Sequence, residues 1–333
     1  MTTRLDHSDR LRALREGITP DRPPVALWRH FYKDEDDLDN FVEAMVGWQR
    51  QYDWDFLKIN PRASYHYEPW GVVMRPSPDQ ETKPERIRFP IQHPNDWQKI
   101  SVLPATHPLF DFQLRAVSRI RKLLPPPFPL VMTVFNPISI IGDMVPSEEV
   151  LISHLHDCPD FVQAALGAIT TTFTKLVHEF RNAGADGLFF ATTQWASQDR
   201  LTLEELERLV LPHDRAVWAA AGTEAFNVLH VCDRNIHLGA YRDFAAALVN
   251  WDVALPGNPT LHEGHDLLQR PVLGGIHHET DLQRDTPDAT LERTKRLIAD
   301  NRDLPFAVGP GCAIPVTTPH ENVAAVRAAV DAG

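Results

Sequence analysis

The sequence predicts a (β/α)8 barrel, a fold in which eight parallel strands alternate with helices and close into a cylinder. Eight short, largely apolar runs occur along the 333 residues, and helical patterns follow most of them. Continuous apolar runs are typical of parallel strands that helices cover on both faces. A doubly wound open sheet is the alternative, but eight strands favour closure. The predicted strands are residues 25–28, 56–59, 130–135, 187–192, 227–232, 247–252, 272–276 and 306–312.

Helix-start signals lie between these strands. Ser147 precedes two glutamates, and Thr202 precedes Leu-Glu-Glu, as N-cap residues do. A long amphipathic pattern covers residues 158–184. Pro287 and Pro319 introduce the last two helical patterns, because proline is favoured in the first turn of a helix. The alternation of strands and helices therefore continues to the end of the chain.

One stretch, residues 62–129, interrupts this alternation. It contains patterns for a β-hairpin over residues 72–89 and for a helix over residues 110–123. Because it follows the second strand, we expect it on the catalytic rim of the barrel as part of a lid or substrate wall. No internal repeat or flexible linker is evident, so residues 1–333 are expected to form a single barrel domain.

Composition and charge exclude several classes of protein. The chain is 43% hydrophobic and 23% charged, as a globular protein is, and its formal net charge of -12 argues against a nucleic-acid-binding surface. It has no apolar run of the roughly 20 residues that would span a membrane and no secretory signal pattern, so a cytoplasmic protein is expected. Three cysteines are too few for a disulfide framework, and Cys158 has no ligand neighbour in the sequence.

Polar residues gather where the predicted strands end. In a barrel, the carboxyl ends of all strands meet at one mouth, where such residues can converge into a site. With a formal net charge of -12, the expected partner is a small molecule or another protein. The polar strand-end residues are Arg29, His30, Lys58, Asn60, Asn136, Thr193, Gln194, His230, Cys232, Asn250, Asp252, His277, His278 and Cys312.

The stretch NVLHVCDRN contains two metal ligands one residue apart, His230 and Cys232. Residues two apart on a strand face the same way, so both side chains would face the same side of the sheet. Cys312, after the eighth strand, would be the third ligand, with Gly309 and Gly311 allowing a close approach. Imidazole and thiolate ligands favour zinc, and three protein ligands leave one position for a substrate. A packed core histidine and cysteine remains the alternative.

The C-terminal stretch VGPGCAIPVTTPHENVAAVRAAV resembles the closing segment of the uroporphyrinogen decarboxylase superfamily, which has a G-C-x-I-P-x-x-T-P-x-E-N run. The segment GADGLFF is similar to the fourth-strand motif of that superfamily. LHVC and GPGC resemble the H-x-C and distant cysteine that ligate zinc in its methylcobamide:thiol methyltransferase branch. This resemblance implies a barrel in which His230, Cys232 and Cys312 hold zinc, and the zinc activates a thiol acceptor.

The resemblance also implies a methyl donor, methylcobalamin or another methylcorrinoid. No D-x-H-x-x-G cobalamin motif occurs, so the corrinoid would arrive on a separate corrinoid protein. The branch usually has glycine after H-x-C, whereas this chain has Asp233-Arg234, which leaves the shape of the acceptor open. Glu68, in YHYEPWG, resembles an acidic residue of the branch and would be a fourth zinc ligand or a base.

Other polar strand-end residues have expected roles in the same site. Asp252 and Asn250 would orient the ligand histidine, and Asp252 and His277 are candidate catalytic residues, since imidazole titrates near neutral pH. His278 is the alternative to His277 as the acid or base. The candidate cofactor-binding residues are Asn136, Gln194 and Arg29.

Decarboxylation is the alternative reaction within the superfamily. True uroporphyrinogen decarboxylases have an N-terminal R-Q-A-G-R-Y motif whose arginines bind substrate carboxylates, whereas this chain has LWRHFY, with Arg29 alone. A non-enzymatic corrinoid- or tetrapyrrole-binding protein is a second alternative, and it would not need an open metal position. A zinc hydrolase is less favoured, because hydrolytic zinc sites more often use histidine and carboxylate ligands.

Overall fold

The computed structural model describes residues 4–332 and is built around a curled parallel sheet of 7 strands. Along this sheet the strands run in the order β1, β4, β5, β6, β7, β8 and β9, and a separate antiparallel pair joins β2 to β3. The strands are β1 (Leu57–Ile59), β2 (Val73–Arg75), β3 (Glu85–Arg88), β4 (Leu130–Phe135), β5 (Gly187–Thr192), β6 (Val228–Val231), β7 (Leu248–Asn250), β8 (Val272–Ile276) and β9 (Phe306–Pro310).

The predicted first strand, residues 25–28, is the exception to the sequence expectation. It forms an isolated parallel bridge, Val25 opposite Val308, in place of a full strand. Ala26 N donates to Val308 O at 3.2 Å, and Asp55 N donates to Val25 O at 2.9 Å, so the segment lies between β9 and the start of β1. Pro23 and Pro24 precede it and have no N–H to extend a ladder, which explains the short pairing. This arrangement is consistent with a TIM-like barrel.

An α-helix follows every main-sheet strand except β6, as expected for most strands, and a 3-10 helix, Leu238–Tyr241, joins β6 to β7. Ser147 and Thr202 are N-caps, and Pro287 begins α10. A wider π-helical turn, Leu206–Val210, joins α7 to α8, where Pro212 has no N–H to continue the regular ladder. The helices are α1 (His7–Arg15), α2 (Leu38–Tyr52), α3 (Pro108–Leu123), α4 (Pro137–Gly142), α5 (Glu148–Asp157), α6 (Pro159–Asn182), α7 (Leu203–Glu205), α8 (Leu211–Ala219), α9 (Leu261–Leu268), α10 (Pro287–Asp300) and α11 (His320–Ala332).

Residues 62–129 contain the short hairpin of β2 and β3 and then α3. The β3 side chains are exposed, whereas α3 buries Phe110, Val117 and Ile120. The expected role of residues 62–129 as a lid or substrate wall stays a prediction. Between Arg4 and Ala332, no helix has both the length and the apolar character needed to cross a bilayer.

The main-sheet strands are buried along almost their whole length. Every residue of β5, β6, β7 and β9 is buried, which explains the continuous apolar runs in the sequence. Polar side chains are therefore expected at the strand ends, where the backbone leaves the sheet. The candidate site lies at these carboxyl ends.

Candidate metal centre

His230, Cys232 and Cys312 lie together at the carboxyl ends of two strands. His230 belongs to β6, Cys232 follows that strand directly, and Cys312 follows β9 by two residues. Their ligand atoms all lie within 4.8 Å of one another. We call these three residues the sulfur group. The fold thus brings a cysteine from the end of the chain to a histidine and cysteine about 80 residues earlier in the sequence.

Asn250, in β7, determines the orientation of the His230 ring. Its amide nitrogen donates to Leu273 O at 2.8 Å and to Pro310 O at 3.0 Å, which uses both N–H groups. The amide oxygen therefore accepts from His230 Nδ1, and this distance is 2.6 Å. A neutral imidazole that donates from Nδ1 has its lone pair on Nε2. Nε2 is then free to act as a metal ligand.

The two thiols of the sulfur group have opposite pKa shifts. A hydrogen bond from Cys232 lowers the pKa of Cys312 well below its usual value, against the effect of burial, and His230 and His278 lower it further. The same hydrogen bond, together with burial, raises the pKa of Cys232 well above its usual value. A thiol and a thiolate in contact are typical of a site that releases protons when a metal binds.

The donor atoms fit zinc. Zinc–sulfur bonds of about 2.3 Å and zinc–nitrogen bonds of about 2.0–2.1 Å place tetrahedral ligand atoms roughly 3.5–4 Å apart. A separation within 4.8 Å in the sulfur group requires only small side-chain adjustments. One imidazole and two thiolates would leave the fourth position open.

A second cluster, Asp252 with His277 and His278, follows β7 and β8. Asp252 Oδ2 lies 3.3 Å from His278 Nδ1 and 3.7 Å from His277 Nε2. Thr280 N donates to His277 Nδ1 at 3.1 Å, so the proton of a neutral His277 ring is on Nε2 and faces the carboxylate. Asp252 Oδ2 and His278 Nδ1 have no hydrogen-bond partner within residues 4–332, and the ligand atoms of the three residues lie within 4.8 Å of one another. The cluster therefore offers acid–base groups or metal ligands.

The second cluster is next to the sulfur group. A Cβ on Gly311, the residue before Cys312, would lie 2.3 Å from Asp252 Cγ. Burial opposes the charged form of His278, but Asp252 and Cys312 raise its pKa above the ordinary value. The cluster therefore offers a group that holds or accepts a proton close to the sulfur atoms.

Lys58, in β1, is a site residue to which the sequence reasoning assigned no role. Its side chain is buried, and Nζ donates to Asn60 Oδ1 and lies 4.5 Å from the ring centroid of Phe189. Burial lowers the pKa of Lys58 to about 7, an effect that the charge of Cys312 partly opposes. The sequence did contain a sign of this residue, because a lysine is unusual within a buried apolar strand such as FLKI.

Asn136, which was expected to bind a cofactor, forms hydrogen bonds within the protein, and its role in cofactor binding stays a prediction. It is the N-cap of α4, where its Oδ1 accepts from Ser139 N, and its Nδ2 donates to Asp214 Oδ2 at 3.0 Å. The side chain is fully buried, and its polar atoms are used within the protein. Asparagine after a strand is also a favoured N-cap residue, so the sequence could not distinguish the two roles.

Arg29, also expected to bind a cofactor, packs against aromatic rings, and its role in cofactor binding stays a prediction. Its guanidinium lies 5.0 Å from the ring of Phe31 and 5.9 Å from that of Trp48 in α2, and its Nε donates to His30 O. Burial lowers its pKa, and Tyr52, also in α2, partly opposes this. Arg29 therefore packs toward α2, whereas its neighbour Trp28 packs on Phe189 inside the sheet.

Glu68 and Gln194 each begin a short 3-10 helix. The Glu68 carboxylate accepts hydrogen bonds from Arg62 Nε at 3.1 Å and Ser64 Oγ at 2.7 Å. It does not belong to either group of candidate metal ligands found between residues 4 and 332. Gln194 is half-buried. Roles in catalysis for Glu68 and in cofactor binding for Gln194 stay predictions.

Comparison with known proteins adds evidence on family and fold. The model of the uroporphyrinogen decarboxylase (URO-D) family matches residues 6–333. A methyltransferase from Methanosarcina mazei has a similar structure over 98% of this chain and 99% of its own, with a TM-score of 0.83 and 18% sequence identity. A B12-independent methionine synthase from Shewanella sp. W3-18-1 covers 94% of this chain and 92% of its own, with a TM-score of 0.55 and 11% identity. No curated protein matches the sequence.

Proposed function

The chain belongs to the uroporphyrinogen decarboxylase family, and we propose that it is a zinc-dependent methyltransferase that moves a methyl group from a methylcorrinoid to a thiol. The observation that carries the proposal is the sulfur group: His230, Cys232 and Cys312 present one imidazole and two thiols within 4.8 Å. The structural likeness to a methyltransferase over almost the whole chain supports the same reaction type. Decarboxylation would give these three residues no role.

His230 Nε2 and the two cysteine sulfurs would hold the zinc. Zinc bound there would accept the substrate thiol at its open position and lower the pKa of that thiol. Asn250 keeps His230 in the tautomer that this requires, through the 2.6 Å contact to Nδ1. Asp252, with His277 and His278, would take the proton that the thiol releases, since this cluster adjoins Cys312.

The proposed methyl transfer is a nucleophilic displacement at the methyl carbon. The acceptor sulfur forms a bond to the methyl carbon while the cobalt–carbon bond breaks, and its electron pair stays with the cobalt. A thiolate is the sulfur species with the required nucleophilicity. The donor would be carried by a separate corrinoid protein that docks at the carboxyl ends of the strands. Gln194 would bind the cofactor, and Glu68 would be a fourth zinc ligand or a base.

The first test is the zinc content of the purified protein, measured by elemental mass spectrometry. We expect about one zinc per chain, because a single three-ligand site is proposed, and loss of that zinc in Cys232→Ser and in Cys312→Ser. Cys158→Ser is the matched control, since Cys158 lies at the junction of α5 and α6 and belongs to neither ligand group. It should retain the metal.

A zinc-loaded protein should then consume methylcobalamin in the presence of a thiol, which is followed by its visible absorbance. A protein that takes up no zinc on reconstitution, or that loses as much zinc in Cys158→Ser as in the other two variants, would contradict the proposal. The decarboxylation of a tetrapyrrole would then be the next activity to assay.

A further inference from the structure

Asp252, two residues after β7, has a carboxylate oxygen that is buried without a hydrogen-bond partner. The residue is 3% exposed. Its Oδ1 accepts from Ala254 N at 3.0 Å, and its backbone carbonyl accepts from Asn258 Nδ2 at 2.8 Å, so the side chain is held in one orientation. Oδ2 has no hydrogen-bond partner within residues 4–332. A buried carboxylate oxygen left in this way is costly unless a cation or a donor stabilises it.

His278 lies beside this oxygen but forms no hydrogen bond with it. Its Nδ1 is 3.3 Å from Asp252 Oδ2, yet in the described part of the chain Nδ1 also has no hydrogen-bond partner. A proton on Nδ1 would therefore be poorly aligned with the carboxylate oxygen. A metal ion that contacts both atoms does not require this alignment, because each ligand atom is then directed at the ion.

The separation of the two atoms fits a shared divalent cation. Bonds of about 2.1 Å place neighbouring ligand atoms roughly 3.0 Å apart in an octahedral site and roughly 3.4 Å apart in a tetrahedral one. The observed 3.3 Å lies between these values. A neutral His278 ring with its proton on Nε2 offers the Nδ1 lone pair that a metal requires.

His277 faces the same carboxylate. Its ring is stacked on that of His278, with centroids 5.1 Å apart and an interplanar angle of 21°. Its Nε2 lies 3.7 Å from Asp252 Oδ2. Because Nδ1 accepts from Thr280 N, a neutral His277 carries its proton on Nε2. That N–H would donate to a water on the cation, which makes His277 a positioning residue and not a ligand.

From this arrangement we propose that the second cluster is a separate site for a divalent cation, with Asp252 Oδ2 and His278 Nδ1 as its protein ligands. Water would fill the remaining positions. Carboxylate and imidazole ligands without sulfur suit Mn²⁺ or Fe²⁺, whereas thiolates select zinc, so the two neighbouring sites would take different metals. The inference is independent of the proposed function, because it concerns only the binding of this cation.

Mn²⁺ is a suitable probe, because the electron paramagnetic resonance signal of free Mn²⁺ is lost when the ion binds to protein. We expect the zinc-loaded protein to bind one Mn²⁺ per chain in a saturable titration. Asp252→Asn and His278→Gln should each weaken this binding at least about tenfold, since each removes a ligand. Asp303→Asn is the matched control, because Asp303 lies 3.4 Å from His262 in an exposed pair of the same residue types. It should bind Mn²⁺ as wild type does.

Thermal unfolding, followed by circular dichroism, shows whether the variants are folded. His278 is only half-buried, so His278→Gln keeps the test available if Asp252→Asn does not fold. Wild-type protein without saturable Mn²⁺ binding would overturn the inference in favour of a plain ion pair between His278 and Asp252. Unchanged Mn²⁺ binding in both variants would overturn it as well.

Cys232→Ser distinguishes failure of this inference from failure of the proposed function. This variant should lose zinc and keep Mn²⁺, because Cys232 belongs to the sulfur group and not to the second cluster. Mn²⁺ binding by a protein that takes up no zinc would support the cation site and refute the proposed reaction. Zinc binding and methyl transfer without a saturable Mn²⁺ site would support the reaction and refute the cation site.

Discussion

At the scale of single residues, Asn250 and Asp252 were both expected to orient His230, but they contact different partners. Asn250 contacts His230, because its two N–H groups are held by the carbonyls of Leu273 and Pro310. Asp252, two residues later, instead faces His277 and His278. The amide therefore orients the ligand histidine, and the carboxylate lies against two other histidines beside it.

Asp214 is a buried carboxyl group behind this end of the sheet. It is 0% exposed, Asn136 donates to its Oδ2, and its Oδ1 has no hydrogen-bond partner within residues 4–332. Burial raises the pKa of Asp214 to about 7, partly opposed by the hydrogen bond from Asn136. Near neutral pH the native protein thus holds a proton that an unfolded chain has released.

This pKa shift predicts a pH-dependent stability. Because the folded pKa lies above the unfolded value, the native state binds more protons than the unfolded state between about pH 4 and pH 7, and stability falls as the pH rises through this window. Across this window the titration of Asp214 lowers the unfolding free energy by roughly 4 kcal/mol. Asp214→Asn should remove this component, so its unfolding free energy relative to wild type should rise between pH 5 and pH 8 in urea titrations. The exposed Asp266→Asn is the control, and an unchanged pH slope in Asp214→Asn would contradict the interpretation.

At the scale of elements, the turn after β9 brings Cys312 to the other two ligands. A Cβ on Gly309 would lie 2.6 Å from Leu273 Cδ1, and one on Gly311 would lie 2.3 Å from Asp252 Cγ. Both glycines are therefore needed for close approach to β8 and to the end of β7. The sequence analysis expected these glycines to let the backbone bend, but neither has a positive φ, and the structure requires only the absence of a Cβ.

Gly311→Ala should displace either Asp252 or the backbone before Cys312. We expect zinc affinity, measured by competition with a chelator, to fall at least about tenfold, as occurs when ligand orientation is disturbed. Gly167→Ala is the matched control, because Gly167 lies within α6 with no atom near its missing Cβ. That change should raise the unfolding free energy by about 0.5–1 kcal/mol and leave zinc binding unchanged. Wild-type zinc affinity in Gly311→Ala would contradict the steric argument.

At the scale of the whole molecule, Asp55 connects the N-terminal segment to the sheet. Its carboxylate accepts from Arg10 at 2.6 Å, from Arg22 at 2.7 Å and from Val25 N at 2.7 Å, and it is 0% exposed. Through Val25 this network positions the short segment that bridges β9 and the start of β1. Closure of the sheet therefore depends on buried charges as well as on strand pairing.

Asp55→Ala should lower the unfolding free energy by about 3 kcal/mol, because two buried guanidinium groups lose the buried carboxylate that they share. Arg10 keeps Asp21 and Arg22 keeps Asp331 as the remaining partners. Urea unfolding monitored by circular dichroism measures this change. Asp303→Ala removes an exposed carboxylate whose partner is His262, and its effect should stay within about 0.5 kcal/mol. Similar losses in the two variants would show that the network does not hold the segment in place.

The sequence by itself determined the seven strands of the main sheet to within two residues at either end and several of the helices, but not α4 or α9. It could do so because apolar runs, N-caps and prolines act locally on the backbone. The segment at residues 25–28 fell short of a strand because its pairing depends on Asp55 and on preceding prolines. The family was also recognisable from the C-terminal motif together with the GADGLFF and LHVC stretches.

The sequence already grouped Cys312 with His230 and Cys232, but only the tertiary structure decided where the other strand-end side chains lie. It turned Arg29 toward α2, used Asn136 as a helix cap and buried Lys58 with a side-chain amide as its hydrogen-bond partner. The physical reason is that the direction of a side chain at a strand end depends on the twist and register of the whole sheet and on the loop that follows. Those quantities are set by contacts between distant parts of the chain, which local sequence patterns do not contain.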